Sequence, residues 1–206
     1  MTALWGVGRA LASEQADLWG GLIDLASGVE PQTGAGQLLN ALVHSAREDQ
    51  IALREDSVYV ARLRRCHAPS APLPLRFRHD ATYLITGGLG GLGLCMAEWM
   101  IRHGARRLVL LGRSGLPARR FWSDVDPTSR NGRRIQAVRA LEAEGAAIHV
   151  VPLDIADESA FTRWLDDFRA EGWPPLRGVI HAAGTISKRT LHELSAEELS
   201  EQLRPK

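Results

Sequence analysis

Residues 83–93 read Tyr-Leu-Ile-Thr-Gly-Gly-Leu-Gly-Gly-Leu-Gly, and this stretch decides the fold. Residues 83–86 are aromatic, aliphatic or β-branched, which predicts the end of a buried strand. After the glycines, apolar residues recur at helical spacing, at Leu92, Met96, Trp99 and Met100. The sequence therefore predicts a strand, a glycine-rich turn and a helix in direct succession.

The glycines of this turn fit two overlapping patterns, GxGxxG and TGxxxGxG. In such a turn one glycine adopts a backbone conformation closed to other residues, one lets the chain approach a pyrophosphate, and one lets the helix pack on the strand. The helix that starts near Gly91 points unpaired N–H groups at the phosphate. A glycine pattern alone is weak evidence, but the strand before it and the helix after it favour a dinucleotide site. The candidate residues are Thr86, Gly87, Gly88, Leu89, Gly90, Gly91, Leu92 and Gly93.

A second strand, residues 107–111, leads into Gly112-Arg113-Ser114. An NAD enzyme usually places Asp or Glu about 20 residues beyond the glycine motif, where the carboxylate binds the ribose hydroxyls. Arg113 stands at that spacing, and a guanidinium can bind a 2′-phosphate through two hydrogen bonds. The alternative is a solvated arginine on a loop. The sequence favours NADP(H), with Arg113 and Ser114 at the site.

Composition excludes several classes of function. The chain has 206 residues, 45% of them apolar, which fits one or two modest domains with a buried core. Its formal net charge of +1 provides no general field for nucleic acid or an anionic membrane. No apolar run approaches a bilayer span, and no secretory leader follows Met1. Cys66 and Cys95 lack metal-ligand spacing, and Cys95 is expected in the core. We expect a soluble cytoplasmic protein without a metal site.

The residues after the second strand continue to alternate between helix and strand. The predicted elements are a helix containing Ile135, Val138 and Leu141, a strand at 148–153, a helix between Asp157 and Gly172, a strand at 177–181, and a helix whose capping box is Ser195 and Glu198. This alternation predicts a doubly wound parallel α/β sheet. The expected strand order is 3-2-1-4, with ligands bound across the carboxyl ends of the strands.

The sequence pattern of residues 1–65 predicts a smaller α/β subdomain without catalytic residues. Its expected elements are a helix over 1–16 with Val7 and Leu11 inward, a strand at 21–25, a helix with Leu38, Leu39, Leu42 and Val43 on one face, and a hairpin of strands 51–54 and 58–63. Residues 66–80 include Pro69, Pro72 and Pro74, which predict an extended connector. The larger subdomain is therefore expected at 81–206.

Four motifs occur in the order and spacing of the short-chain dehydrogenase/reductase superfamily: TGGLGGLG at 86–93, LVLLGRSG at 108–115, LDIAD at 153–157 and HAAG at 181–184. More closely, the chain resembles the ketoreductase domain of type I modular polyketide synthases. Residues 4–25 and 48–63 resemble the C-terminal part of that domain's structural subdomain. The resemblance implies a Rossmann-like fold, of which only the first four strands are present.

The resemblance also assigns further residues to the cofactor. It implies that Asp154 and Ile155 lie beside the adenine ring, and that the HAAG residues let the backbone lie against the cofactor ribose. These last residues are His181, Ala182, Ala183 and Gly184. His181 also invites interpretation as a general base, although a histidine at the end of a buried strand is more often structural. The family's common stereochemical class carries Leu-Asp-Asp after this motif. Ile186-Ser187-Lys188 stands there instead, which implies a different class.

Catalysis in this family uses a tyrosine with a serine, a lysine and an asparagine. The closing Leu-Arg-Pro-Lys matches the family's lysine pattern, which makes Lys206 the candidate catalytic residue. The alternative is a solvated terminal lysine. The serine, tyrosine and asparagine lie further on in the family. Tyr59 and Tyr83, which fall on predicted strands, cannot replace the tyrosine. The chain is thus expected to be a piece of a ketoreductase, cut at both ends and inactive alone.

The function implied by the resemblance is NADPH-dependent reduction of a carrier-bound β-ketoacyl thioester to the β-hydroxyacyl form. Its implied partners are an acyl carrier protein with a phosphopantetheine arm and the other domains of the parent synthase. One alternative is a non-catalytic nucleotide-binding or scaffold module. A free-standing reductase is the other, and the N-terminal subdomain argues against it. The gene sequence after Lys206 would discriminate among these hypotheses.

Residues 115–131 form a longer link than the usual two to six residues, and with the residues that follow they carry a basic cluster. Its members are Arg119, Arg120, Arg130, Arg133 and Arg134. The cluster could bind the adenosine phosphate or contact a carrier protein. A solvated surface loop is the favoured alternative.

Overall fold

The structure, a computed structural model, describes residues 2–44, 48–55, 57–65, 75–185 and 189–206. Cys66, the three prolines of the predicted connector and Ile186-Ser187-Lys188 lie outside these ranges. The chain divides into two compact units, Met1–Pro72 with Lys188–Leu194 and Leu73–Ser187 with Ser195–Lys206. Each unit is described by itself.

The first unit contains a small sheet with the strand order β1-β2-β3. Its elements are α1 (Thr2–Glu14), a 3₁₀ turn (Ala16–Leu18), β1 (Leu22–Asp24), α2 (Pro31–His44), β2 (Gln50–Arg54) and β3 (Ser57–Val60). Strand β1 is parallel to β2, and β2 and β3 form the predicted hairpin with Arg54 opposite Ser57. Glu55, at the turn, has a positive φ of 48°.

The prediction that Val7 and Leu11 of helix α1 face inward is wrong. Val7 and Leu11 are exposed, and the buried residue of α1 is Gly8, where a Cβ would lie 2.3 Å from a methyl group of Leu22. Helix α2 buries Gly34 and Ala41 and leaves Leu39, Leu42 and Val43 exposed, with Leu38 half-buried. The reason is close approach, because small residues let each helix lie nearer to its neighbour than leucine would.

The second unit is a parallel sheet of four strands in the order β6-β5-β4-β7, which confirms the predicted 3-2-1-4 order. Its elements are β4 (Thr82–Thr86), α3 (Gly91–Arg102), β5 (Arg107–Gly112), a 3₁₀ turn (Arg119–Phe121), α4 (Arg130–Ala143), β6 (Ala147–Pro152), α5 (Glu158–Ala170), β7 (Leu176–His181) and α6 (Ala196–Leu203). The predicted N-cap of α5 at Asp157 and the capping box of α6 are both present. Strand β7 pairs only with β4 among the described strands, and its Val179 is 58% exposed.

The central strands β4 and β5 form the core. Every residue of β4 is buried, and Ile85, Val109 and Leu110 are wholly inaccessible to solvent. Helix α3 packs on them with part of the predicted stripe, since Met100 is buried and Met96 contacts the core. Its buried residues are Gly93, Ala97, Met100 and Ile101. Leu92, in the same stripe, is 65% exposed, and Cys95 is exposed, so the prediction that Cys95 lies in the core is wrong.

The long link after β5 is anchored to the core at Trp122, although many of its residues are exposed. Trp122 is buried in the main cluster, and its indole N–H donates to the carbonyl of Pro117 at 2.8 Å. Helix α4 then begins at Arg130, and the Ser129 hydroxyl caps it by accepting from Gly132 N at 3.0 Å. The position of the first turn of α4 is therefore fixed by packing.

Candidate functional site

Three glycines of the loop between β4 and α3 are required by the protein's own packing. Gly87 has a φ of +65°, and a Cβ there would lie 2.7 Å from the carbonyl oxygen of Ala182. A Cβ on Gly88 would lie 2.6 Å from that of Leu110, and one on Gly93 would lie 2.5 Å from the Gly87 carbonyl oxygen. Distances this short are overlaps, so only glycine fits at these positions.

Gly91 differs from these three, because a Cβ there would meet no atom within 4 Å. Gly91 is the first residue of α3, which follows Gly90 without any side-chain cap. The N–H groups of its first turn are therefore free to bind an anion, and the helix dipole favours one. Packing therefore does not explain the glycine at 91.

The hydroxyl of Thr86 joins the end of β4 to the end of β7. Thr86 is 1% exposed; its Oγ1 lies 2.8 Å from Nδ1 of His181 and accepts from Ala183 N at 3.2 Å. The backbone repeats the link, since Ala182 N donates to the Thr86 carbonyl at 3.2 Å. Thr86 thus holds the HAAG segment against the glycine loop. The hydrogen bond supports a structural interpretation of His181, but His181 is exposed, so the expectation that it ends a buried strand is wrong.

A cavity of about 350 Å³ lies at the carboxyl ends of the strands, within the usual range for small-molecule sites. It is lined by Gly87, Leu89, Gly90, Leu111, Gly112, Arg113, Ser114, Arg130, Arg134, Leu153, Asp154, Ile155, Ala156, Ala182, Ala183, Gly184, Thr185, Glu201, Arg204 and Pro205. The end of β5 and the segments after β6 and β7 therefore meet the glycine loop at one place, as expected for a doubly wound sheet.

One side chain at this cavity is fixed by a hydrogen bond, whereas two others are exposed to solvent. Asp154 is half-buried, and its Oδ1 accepts from Ala156 N at 3.0 Å, which fixes the segment after β6. Arg113 and Ser114 are exposed at the end of β5. A polar group entering between these segments would meet both a fixed carboxylate and an exposed guanidinium.

Several predicted residues do not line the cavity. They are Thr86, Gly88, Gly91, Leu92, Gly93, His181 and Lys206. The first five belong to the end of β4, the glycine loop and the first turn of α3. Lys206 is exposed, and its backbone N–H donates to the Leu203 carbonyl at 2.9 Å.

Sequence reasoning missed the contribution of α6 and could not choose within the basic cluster. Glu201, Arg204 and Pro205 line the cavity, although no motif marked Glu201 or Arg204 for this role. Of the five arginines in the cluster, only Arg130 and Arg134 line it. Arg119 instead pairs with Glu142 at 2.5 Å, and Arg120 lies over the Phe121 ring. Arg130, which is exposed, and Arg134, which is half-buried, are thus the members of the cluster that a ligand in this cavity would meet.

Neither a metal-binding cluster nor a membrane-spanning helix occurs within the described ranges. No group of three or more His, Cys, Asp or Glu side chains there is arranged to hold a metal ion. No helix there is both long and apolar enough to cross a bilayer.

The family profile described as "KR domain" matches residues 81–206. The 5-methyl-1-naphthoate synthase of Streptomyces sahachiroi is 45% identical over 203 residues, 98% of this chain and 11% of that protein. A 6-methylsalicylic acid synthase of Aspergillus niger is 39% identical over 206 residues, 100% of this chain and 11% of that protein. A phenolphthiocerol/phthiocerol polyketide synthase subunit of Mycobacterium tuberculosis is 37% identical over 204 residues, 98% of this chain and 11% of that protein.

Solved structures agree with these relatives. A structure of A-type ketoreductases from a modular polyketide synthase superposes with a TM-score of 0.76 at 30% identity, covering 100% of this chain and 40% of that one. The ketoreductase from the first module of phoslactomycin biosynthesis in Streptomyces sp. HK803 superposes with a TM-score of 0.72 at 31% identity. The match covers 99% of this chain and 44% of that one. The chain thus spans about a ninth of the curated relatives' length and less than half of these solved chains. With its Rossmann-like sheet and glycine loop, the chain belongs to the ketoreductase (KR) domain family of polyketide synthases.

Proposed function

We propose that this chain is the cofactor-binding part of an NADPH-dependent β-ketoacyl reductase. The proposal rests on one observation: the glycine loop, Arg113, Asp154 and residues 182–184 line the same cavity. The residues present fit the adenosine and pyrophosphate parts of a dinucleotide. An uncapped helix start and an unobstructed Gly91 suit the pyrophosphate, and an exposed Arg113 suits a 2′-phosphate.

Each element has a distinct role in binding the cofactor. The first turn of α3 would bind the pyrophosphate, and Arg113 with Ser114 would bind the 2′-phosphate. Asp154 and Ile155 would hold the adenine, and the backbone of residues 182–184 would hold a ribose. When bound, NADPH supplies the hydride for ketone reduction. The other roles belong to the protein: it binds, orients and provides a proton.

The proton donor is the part that this chain lacks under the proposal. Tyr83 is 6% exposed, and its hydroxyl accepts from Arg78 N at 2.8 Å in the interior of the second unit. Tyr59 lies on β3 of the first unit. Lys206 remains the candidate for the cation that lowers the pKa of a tyrosine. We therefore propose that residues 1–206 alone bind the cofactor without reducing a ketone.

Substrate and partners follow from the family. Relatives named as polyketide synthases support a β-ketoacyl thioester on the phosphopantetheine arm of an acyl carrier protein, reduced to the β-hydroxyacyl form. Other domains of a parent synthase are the remaining partners. A non-catalytic nucleotide-binding or scaffold module is the competing function, and it predicts no turnover in any longer form of the chain.

The proposal is tested by titrating the chain with NADPH and NADH while following the fluorescence of the reduced nicotinamide. We expect tighter binding of NADPH. The Arg113→Ala variant should lose about one to two decades of NADPH affinity, because it removes a charge-assisted hydrogen bond. Arg120→Ala is the matched control, since Arg120 lies over Phe121 and does not line the cavity. Equal affinity of the unmodified chain for both cofactors would contradict the NADPH assignment.

A further inference from the structure

The first two turns of α4 present two arginines to the cavity. Arg130 and Arg134 line it together with Arg113 and Ser114 from the end of β5. Residues four apart on a helix share one face, so the charges of Arg130 and Arg134 repel each other. Around the whole cavity there are four arginines and two carboxylates, which are Arg113, Arg130, Arg134, Arg204, Asp154 and Glu201. The cavity is therefore electropositive.

Among the described residues, no carboxylate forms an ion pair with the arginines from β5 and α4. In the parts of the chain that the structure describes, Arg113, Arg130 and Arg134 form no ion pair, whereas several other arginines do. Asp154, a carboxylate that also lines the cavity, accepts a hydrogen bond from Ala156 N. The cationic side of this cavity thus lacks a counter-ion among the described residues.

The position of Arg130 and Arg134 at the start of α4 adds to the electrostatic repulsion that their charges experience. Arg130 is the first residue of α4, whose first turn carries no acidic residue, and the positive end of the helix dipole lies there. Burial, together with the charge of Arg130, lowers the pKa of the Arg134 guanidinium. Two like charges at a positive helix end, one of them partly buried, are stabilised when an anion enters the cavity.

We propose that Arg130 and Arg134 bind the 2′-phosphate of NADPH together with Arg113. The inference rests on the proposed function and extends it, because it assigns part of the cofactor specificity to the insertion before α4. A phosphate monoester carries nearly two negative charges and three acceptor oxygens, enough for several guanidinium forks. The pyrophosphate is the less suitable anion, since the glycine loop and the start of α3 already provide its donors.

The insertion holds these two arginines in place. Trp122 anchors it in the core, and Ser129 caps α4, so the helix start cannot slide along its axis. At Gly132 a Cβ would lie 2.1 Å from the Asp126 carbonyl oxygen, which requires close contact between the insertion and the first turn. Arg133, on the same turn, is turned away: its guanidinium donates to the Thr128 carbonyl, and it does not line the cavity.

Arg133 therefore provides a matched control of equal charge. The experiment measures dissociation constants of NADPH and NADH for the unmodified chain and for Arg130→Gln, Arg134→Gln and Arg133→Gln. Arg134→Gln should raise the dissociation constant of NADPH by about tenfold or more and should change that of NADH by less than about twofold. Arg130→Gln should act in the same direction with a smaller effect. Arg133→Gln should leave the NADPH/NADH ratio unchanged.

Thermal melting gives a second readout that does not depend on turnover. Without nucleotide, Arg130→Gln should raise the Tm, because it removes the repulsion with Arg134. The same variant should show a smaller rise in Tm on adding NADPH, because its affinity is lower.

The outcomes separate this inference from the proposed function. If the unmodified chain prefers NADPH and both variants keep its NADPH/NADH ratio, the inference is overturned and the proposed function stands. Equal losses for NADPH and NADH in Arg134→Gln would also overturn it, because they would indicate a general disturbance of the cavity. If the unmodified chain binds neither cofactor, the proposed function fails, and the inference fails with it.

Discussion

The Thr86 hydroxyl lies 2.8 Å from Nδ1 of His181, a residue 95 positions further along the chain. The two residues are also register partners on the parallel strands β4 and β7. One buried side chain therefore fixes the position of the segment after β7, including Ala183, relative to the glycine loop. The candidate cofactor site depends on this bond even though Thr86 does not line the cavity.

Thr86→Val is expected to destabilise the second unit by about 0.5–1.5 kcal/mol, because the valine removes the contacts of the buried hydroxyl with His181 and Ala183. Thr86→Ser keeps the hydroxyl and is the control, so its free energy of unfolding should fall by less. Urea unfolding followed by circular dichroism measures both. A Thr86→Val variant as stable as the unmodified chain would show that the Thr86–His181 bond contributes nothing net.

Gly91→Ala and Gly93→Ala form a matched pair on one helix turn. The alanine at 93 would overlap backbone atoms of Gly87 and Gly88, so it should lower stability by about 1–3 kcal/mol or more. The alanine at 91 meets no protein atom, so the Tm should stay the same or rise, while NADPH affinity falls. Melting curves and NADPH titrations measure the two effects. Equal loss of Tm in both variants would contradict the distinction between packing and ligand approach.

The stability of α5 should depend on pH below about 4 through Asp157. Hydrogen bonds from Ala160 N and from Ser159 hold the pKa of the Asp157 carboxyl below its usual value. A lowered pKa in the folded state stabilises the fold above the unfolded-state pKa, and this stabilisation is lost as pH falls through the folded-state pKa. Asp157→Asn keeps an acceptor oxygen but cannot titrate.

The test compares the Tm of the unmodified chain and Asp157→Asn between pH 6 and pH 3. The unmodified chain should be the more stable at pH 6, and the difference should shrink as pH falls. Asp166→Asn, an exposed carboxylate on the same helix, is the control for the loss of one negative charge. A difference that stays constant down to pH 3 would show that the Asp157 charge does not contribute.

Residues 1–206 should not oxidise NADPH in the presence of a simple cyclic ketone. The comparison is a chain extended at its carboxyl end to the full length of the solved ketoreductases, of which this chain covers 40–44%. The extended chain should turn over and should also associate less, because later elements would pair with β7 and cover Val179. Turnover by both chains at similar rates would mean that Tyr59, Tyr83 or His181 supplies the proton. No turnover by either would favour a non-catalytic module.

The type and order of the elements could be predicted because they depend on local patterns. The strand at 82–86, the glycine turn and the Asp157 cap each have a signature that a few neighbouring residues determine. The strand order followed from the alternation of strand and helix.

The faces of the helices could not be predicted in the same way. In α3 the exposed Leu92 and the buried Ala97 reverse the order of hydrophobicity, because the distance between helix and sheet, a tertiary property, determines which residue fits. The same limit applies to the site. Arg130 and Arg133 are alike in sequence, and only the start and rotation of α4 bring one to the cavity and turn the other away.

The link between Thr86 and His181 also bears on the order in which the protein becomes functional during synthesis. The glycine loop emerges early, yet one side of the cavity is missing until β7 emerges and pairs with β4. Contacts between residues so far apart in sequence form late, because closing the intervening chain is entropically unfavourable. Nucleotide binding should therefore appear abruptly rather than gradually as the chain lengthens past β7. A ribosome-bound series of nascent chains would display this as a step in NADPH retention.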